Sequence, residues 1–186
     1  MNTTKIAING FGRIGRAFLK LSLNEPNLEV VAINDLGDIE MLSYLLQYDS
    51  VYKTSPMVCE VDIVSEVEKY IVITRNDING EEKISRIRVI SEKDANMYPW
   101  GEMGIDIVVE STGLFTNYEK ANTHITAGAK RVVISAPGKG DGSVSGETVL
   151  MRVNDDKILD VNITSNASCT TNASSPLISI LDESIG

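Results

Sequence analysis

Short apolar runs alternate with amphipathic stretches at the start of the chain. Lys5 to Asn9 (KIAIN) reads as a buried strand, and Leu28 to Asn34 (LEVVAIN) as a second. Between them, Arg16 to Leu23 sets Ala17, Phe18 and Leu21 at helix-like intervals until Asn24-Glu25-Pro26-Asn27 breaks the pattern. Ile39 to Leu46 gives a further helical stretch. Strand, helix and strand in that order form the unit from which parallel sheets are built. The middle changes rhythm: Val58 to Val64, Tyr70 to Thr74 and Lys83 to Ile90 read as strands, with Asn79-Gly80 as a hairpin turn between the last two. Alternation then returns. Ile105 to Glu110 is a strand, Asn117 to Ala127 a helix and Arg131 to Ser135 a strand. A Gly- and Ser-rich loop covers Pro137 to Gly146, and Thr148 to Val153 and Ile158 to Thr164 read as further strands. Polar residues from Ser165 to Asn172 lead into a helical pattern over Pro176 to Leu181. These patterns predict an α/β fold: a doubly wound, mostly parallel sheet with a small antiparallel excursion.

Composition narrows the function. Over 186 residues, 42% are hydrophobic and 23% charged, the balance of a globular protein. A net charge of -9 and a pI of about 4.6 argue against a nucleic-acid partner, which calls for a basic surface. No apolar run approaches the roughly 18 residues that span a bilayer, and the N-terminus lacks a signal-peptide pattern. The reading is a cytoplasmic protein with no membrane partner. Cys59 and Cys169 are far apart and fit neither a disulfide framework nor a metal spacing. Cys59, in strand-like surroundings, is expected to be a small core residue.

Two segments carry chemistry. Gly10-Phe11-Gly12-Arg13-Ile14-Gly15 has the spacing G-x-G-x-x-G. The first glycine makes a tight turn, the second admits a pyrophosphate, and the third lets helix and strand pack closely. The helix start then offers unpaired N–H groups to phosphate. A strand precedes this turn and a helix follows it. Asp35 stands roughly twenty residues further on, where an acid would accept hydrogen bonds from ribose hydroxyls. This is a Rossmann-type dinucleotide pattern, and the charge of Asp35 favours NAD over NADP. Arg13 is a candidate ligand residue beside the turn. In the second segment, Cys169 follows a strand and opens a helix among small polar residues. That setting favours the thiolate of a nucleophile, and a backbone N–H there could hold an oxyanion. A nucleophilic cysteine needs a base, and the single histidine, His124, reads as a partly exposed helix residue.

Several motifs then resemble the phosphorylating, NAD-dependent glyceraldehyde-3-phosphate dehydrogenase family. They are Asn9 to Arg16 (NGFGRIGR), Ala32 to Asp35 (AIND), Tyr44 to Val51 (YLLQYDSV), Glu110 to Gly113 followed by Phe115 (ESTGLF), Ala127 to Pro137 (AGAKRVVISAP) and Ser165 to Asn172 (SNASCTTN). They occur in family order. The resemblance implies oxidation of D-glyceraldehyde 3-phosphate, with NAD and inorganic phosphate, to 1,3-bisphosphoglycerate through a thioester on Cys169. It implies a cofactor site of Asn9, Gly10, Gly12, Arg13, Ile14, Asn34, Asp35, Lys93, Ser111, Thr112, Gly113, Ser135 and Ala136, with Ser168 and Thr170 at phosphate subsites. Lys93 stands where the family commonly has arginine, Arg152 where many members have glycine, and Ala173 where a second cysteine is frequent.

The resemblance also implies that 1–168 is the NAD-binding domain and that 169–186 begins a catalytic domain truncated here. The family's base, a histidine, would lie beyond Gly186. The chain is therefore expected to be a fragment with little activity alone, and a homotetramer when full length. The competing readings are an NAD-binding module without chemistry and an erythrose-4-phosphate dehydrogenase on the same scaffold.

Overall fold

A computed structural model describes residues 3–185. The chain divides into two compact units, the first ending at Met97 and the second beginning at Tyr98. The first unit runs β1 (Thr4–Asn9), α1 (Arg13–Ser22), β2 (Leu28–Asn34) and α2 (Ile39–Gln47). A small hairpin, β3 (Tyr48–Asp49) and β4 (Lys53–Thr54), follows, and then β5 (Met57–Ile63), β6 (Lys69–Asn76) and β7 (Glu82–Ile90). Strand β1 pairs in parallel with β2 and β2 with β7, while β7, β6 and β5 pair antiparallel. The sheet and the antiparallel excursion are thus those expected from the sequence.

Alternation along β5 and β6 fixes which face is buried. Ile71 and Ile73 are fully buried and join Ile8, Phe11, Leu19, Ile33, Leu42 and Leu46 in one apolar cluster. Burial of that kind stabilises by about 25 cal/mol per Å² of apolar surface. Helix α1 presents Gly15, Leu19 and Ser22 inward, whereas Leu21, expected on its inner stripe, is 73% exposed. Helix α2 starts at Asp38, whose side chain accepts from the Met41 N–H at 3.1 Å, an N-cap worth about 1 kcal/mol. The β6–β7 turn holds Gly80 at φ 80°, and the Asp77 side chain accepts from the Asn79 and Glu81 N–H groups.

The second unit begins with the short helix α3 (Trp100–Met103), then β8 (Ile107–Glu110), α4 (Tyr118–Thr126), β9 (Arg131–Ile134), β10 (Glu147–Thr148), β11 (Ile163–Ser165) and α5 (Cys169–Ile185). Strands β8, β9, β11 and β10 lie side by side in that order, all parallel. Together the units give the expected α/β class, mostly parallel. Among the described residues, no helix is long and apolar enough to cross a membrane.

Two expected strands are largely absent. Only Thr148 of the Thr148–Val153 run is in a strand; Val149 and Leu150 are irregular and Met151 to Val153 form a turn. The Asn154 side chain closes it, accepting from the Leu150 N–H at 2.8 Å and donating to the Thr148 carbonyl at 2.9 Å. Such side-chain bonds compete with a strand ladder. Arg152, where the family often has glycine, sits in this turn at φ 61°, a conformation that favours glycine. Of Ile158–Thr164, the first part lies in a 3-10 helix, Asp155–Leu159, and only Ile163 and Thr164 enter β11. Arg131 stabilises that break by donating to the Ile158 and Val161 carbonyls.

Candidate functional site

In the first unit the glycine turn is held from below. Gly10 adopts φ 91° and donates its N–H to the Asn34 carbonyl at 2.8 Å. The Asn34 side chain is buried. It donates to Asn9 Oδ1 (2.8 Å) and the Glu92 carbonyl (3.0 Å), and accepts from the Glu92 N–H (2.9 Å). Asn9 and Asn34 therefore lock the ends of β1 and β2 to the segment after β7. Lys93, next to Glu92, is exposed.

Asp35 completes the turn. Its Oδ2 accepts from the Phe11 N–H at 2.7 Å and its Oδ1 from the Gly37 N–H at 2.8 Å. Each carboxylate oxygen has two lone pairs, so this half-buried group retains capacity for further donors. Gly12 is the clearest sign of a ligand. Its φ is an ordinary -69° and a Cβ built there would meet nothing within 4 Å. Neither backbone strain nor internal packing calls for glycine; an approaching molecule would. Helix α1, which starts just after, has no side-chain cap and no acid in its first turn. Its leading N–H groups thus suit an anion. Arg13 and Ile14 are exposed beside them, and Arg16 instead donates to the Phe11 carbonyl. This surface fits a pyrophosphate and a ribose diol.

In the second unit, the segment after β8 turns at Gly113, φ 77°. Thr112 faces inward: its N–H and hydroxyl donate to Glu110 Oε1 at 2.8 and 2.5 Å. The N–H and the hydroxyl proton of Thr112 are thus both engaged within the chain. Ser111 is half-buried in the same turn. Ser135 and Ala136 follow β9; the Ser135 N–H donates to the Glu110 carbonyl. The Ala136 carbonyl accepts from Ser165 Oγ at 2.7 Å. That Ser165 hydroxyl also accepts from the N–H groups of Gly138 and Ala167, tying the glycine-rich loop to the cysteine segment.

Cys169 is exposed and is the first residue of α5. Two residues before it, buried Ala167 holds φ 58°, a left-handed conformation that costs roughly 1–2 kcal/mol without a compensating role. Ser168 caps the helix: its Oγ accepts from the Thr171 N–H at 3.0 Å and lies within hydrogen-bonding distance of the Thr170 and Thr171 hydroxyls. Asn172 reaches back to the Asn166 and Ser168 carbonyls. Cys59 is half-buried in β5, and burial pushes its thiol up to about 11.

His124 corrects the sequence reading. It is not partly exposed but fully buried. Trp100 Nε1 donates to its Nδ1 at 3.1 Å, and its Nε2 lies 3.0 Å from Glu110 Oε2. The spacing of Tyr118, Ala121 and His124, all buried on one face of α4, was the signal available in the sequence; Trp100 as a partner was not. A groove of about 530 Å³ between residues such as Leu23, Pro26, Arg75 and Ile84 contains none of the predicted site residues.

Comparison with known proteins identifies a family. The profile described as "Glyceraldehyde 3-phosphate dehydrogenase, NAD binding domain" matches residues 4–118. The chain is 44% identical over 184 residues to the glyceraldehyde-3-phosphate dehydrogenase of Clostridium pasteurianum, covering 98% of this chain and 50% of that protein. It is 44% identical over 184 residues to glyceraldehyde-3-phosphate dehydrogenase 1 of Bacillus subtilis and 42% over 185 to the Thermotoga maritima protein, with the same coverage. The chain thus spans about half the length of the curated relatives it matches.

Proposed function

The chain belongs to the glyceraldehyde-3-phosphate dehydrogenase family, and from that premise we propose that it serves the phosphorylating oxidation of D-glyceraldehyde 3-phosphate to 1,3-bisphosphoglycerate. NAD is the cofactor of the matched domain. The observation that carries the proposal is the exposed Cys169 thiol at the first residue of α5, behind the strained Ala167. In the proposed reaction the Cys169 sulphur bonds to the aldehyde carbon, giving a hemithioacetal. NAD, when bound, supplies the acceptor for the hydride that leaves this carbon. Cys169 then carries the acyl group as a thioester. An oxygen of inorganic phosphate attacks that carbonyl, the C–S bond breaks, and the Cys169 thiolate is released with the acyl phosphate.

The first unit's part is to bind. The Gly10–Gly15 turn and the start of α1 take the pyrophosphate, with Arg13 and Ile14 beside it. Asp35 takes the adenosine ribose and disfavours a 2′-phosphate. Lys93 is assigned next to the adenine, and Asn9 and Asn34 support the turn. By family resemblance Ser111, Thr112, Gly113, Ser135 and Ala136 are the second unit's cofactor residues. Ser168 and Thr170 are the phosphate-subsite candidates; their hydroxyls lie 2.9 Å apart, and Ser168 Oγ also caps the helix. A cytoplasmic homotetramer belongs to the same proposal.

One step calls for a base that His124 does not supply. A base must take the hemithioacetal hydroxyl proton, help typically worth about 10²–10⁴-fold. The single histidine is buried with both ring nitrogens engaged. The 186-residue chain should therefore bind NAD yet turn over little. Calorimetry would measure NAD binding. NADH absorbance would follow turnover with glyceraldehyde 3-phosphate and phosphate, against a Cys169→Ser control and the Bacillus subtilis relative. We expect binding in wild type and control, with turnover at or below about 1% of the relative's, the loss that a missing base brings. Failure to bind NAD would sink the cofactor assignment. Turnover near the relative's that survives in Cys169→Ser would sink the nucleophile.

A further inference from the structure

A buried chain of hydrogen bonds runs beneath the turn that follows β8, and the proposed reaction does not use it. We propose that Trp100, His124 and Glu110 form a positioning relay that sets the Thr112–Leu114 turn and, through it, the affinity for NAD. The second half of this proposal rests on the NAD reading above.

The direction of the relay follows from donor chemistry. An indole N–H can only donate. Trp100 Nε1 lies 3.1 Å from His124 Nδ1, so Nδ1 accepts and the ring proton sits on Nε2. That Nε2–H donates to Glu110 Oε2 at 3.0 Å. Glu110 Oε1 receives the N–H and hydroxyl of Thr112, and Thr112 Oγ1 in turn accepts from the Leu114 N–H at 3.0 Å. From both ends the donations run toward one carboxylate, which receives His124 and Thr112 directly. Trp100 and His124 are 0% exposed and Glu110 is 2% exposed, so water cannot substitute for a lost partner.

Packing holds the relay in register. The Tyr98 ring stacks on His124 with centroids 5.3 Å apart and planes within 9°, and the Phe115 ring is tilted against it at 5.5 Å. Gly128 and Gly101 let the end of α4 and the start of α3 touch. A Cβ built on Gly128 would lie 2.5 Å from Gly101 Cα, and the Gly101 N–H donates to the Ala127 carbonyl. That close approach brings the indole to the imidazole. The far end, Thr112 and Gly113, is the surface assigned to the cofactor. The relay touches no reacting atom, so its residues position rather than catalyse.

The chain has one histidine and one tryptophan, so each reports on the relay without background. In the 186-residue chain, ¹⁵N NMR of the His124 ring should show the Nε2–H tautomer; an Nδ1–H or doubly protonated ring at neutral pH overturns the relay. His124→Leu should speed amide exchange of Thr112 and Leu114 and weaken NAD binding, each by about tenfold, equivalent to roughly 1.4 kcal/mol. His124→Gln offers an amide oxygen to Trp100 and an amide N–H to Glu110, and should restore both to within about threefold. If the leucine variant does not fold, Trp100→Phe keeps an apolar ring but removes the first donor, and should move both readouts the same way. A folded leucine variant with wild-type exchange and affinity overturns the proposal. So does equal impairment of the leucine and glutamine variants, because bulk packing rather than donor order would then be at work. If exchange responds as expected but wild type binds no NAD, the NAD reading fails and only the link from turn to cofactor falls with it.

Discussion

Replacing Asp35 with asparagine would separate the two tasks of its carboxylate. Asp35 accepts from the Phe11 and Gly37 N–H groups, at 2.7 and 2.8 Å. Asparagine has one acceptor oxygen, so its NH₂ must face one of those donors. Phe11 is buried and Gly37 exposed, so the oxygen should stay with Phe11 while the Gly37 N–H turns to water. A hydrogen bond to a charged group is worth about 1.5–3 kcal/mol. With one bond transferred to water and the other weakened, the loss should fall near 1–2 kcal/mol, or roughly 2–8 °C in Tm for a chain of this size. The second effect is on the cofactor. A carboxylate near a 2′-phosphate is repelled by about 1–4 kcal/mol at 4 Å, depending on the effective dielectric. Removing it should shift the ratio of NADP to NAD dissociation constants toward NADP by at least about tenfold. Thermal unfolding and calorimetry with both cofactors measure the two effects separately. An unchanged ratio would refute Asp35 as the ribose residue even if Tm fell. An unchanged Tm would refute its role in holding the glycine turn.

The cysteines should differ under iodoacetamide. Burial raises the Cys59 thiol from 9.0 to about 11; near neutral pH that leaves about a hundredfold fewer thiolates than in an unstructured peptide. Exposed Cys169 should label first, and Cys59 labelling should climb as pH rises toward 11; faster labelling of Cys59 in folded protein, read by peptide mass spectrometry, would contradict this. Gly146→Ala should destabilise by about 1–3 kcal/mol, the usual cost of overpacking, because its Cβ would lie 2.4 Å from the buried Tyr118 ring. Urea unfolding with no change in midpoint would show that the glycine-rich loop does not clasp that ring.

What the sequence determined lies in contiguous windows. Strand β2 runs from Leu28 to Asn34 as its apolar run predicts, and the turn at Gly80 is marked by Asn79-Gly80. The glycine turn, Asp35 and the helix start at Cys169 were also legible, because each depends on backbone conformation and residue types that neighbours in the chain specify. The tertiary structure decided which faces are buried and who pairs with whom. Leu19 rather than Leu21 is buried in α1 because Leu19 meets the cluster that includes Ile33 and Ile71. Periodicity alone does not choose between them. The run from Ile158 begins in a 3-10 helix, where Arg131, distant in sequence, takes the Ile158 and Val161 carbonyls. His124 is buried because Glu110 and Trp100 meet it from other elements. A buried polar side chain is defined by the partner that replaces water, and for His124 that partner is set by how α3, β8 and α4 pack.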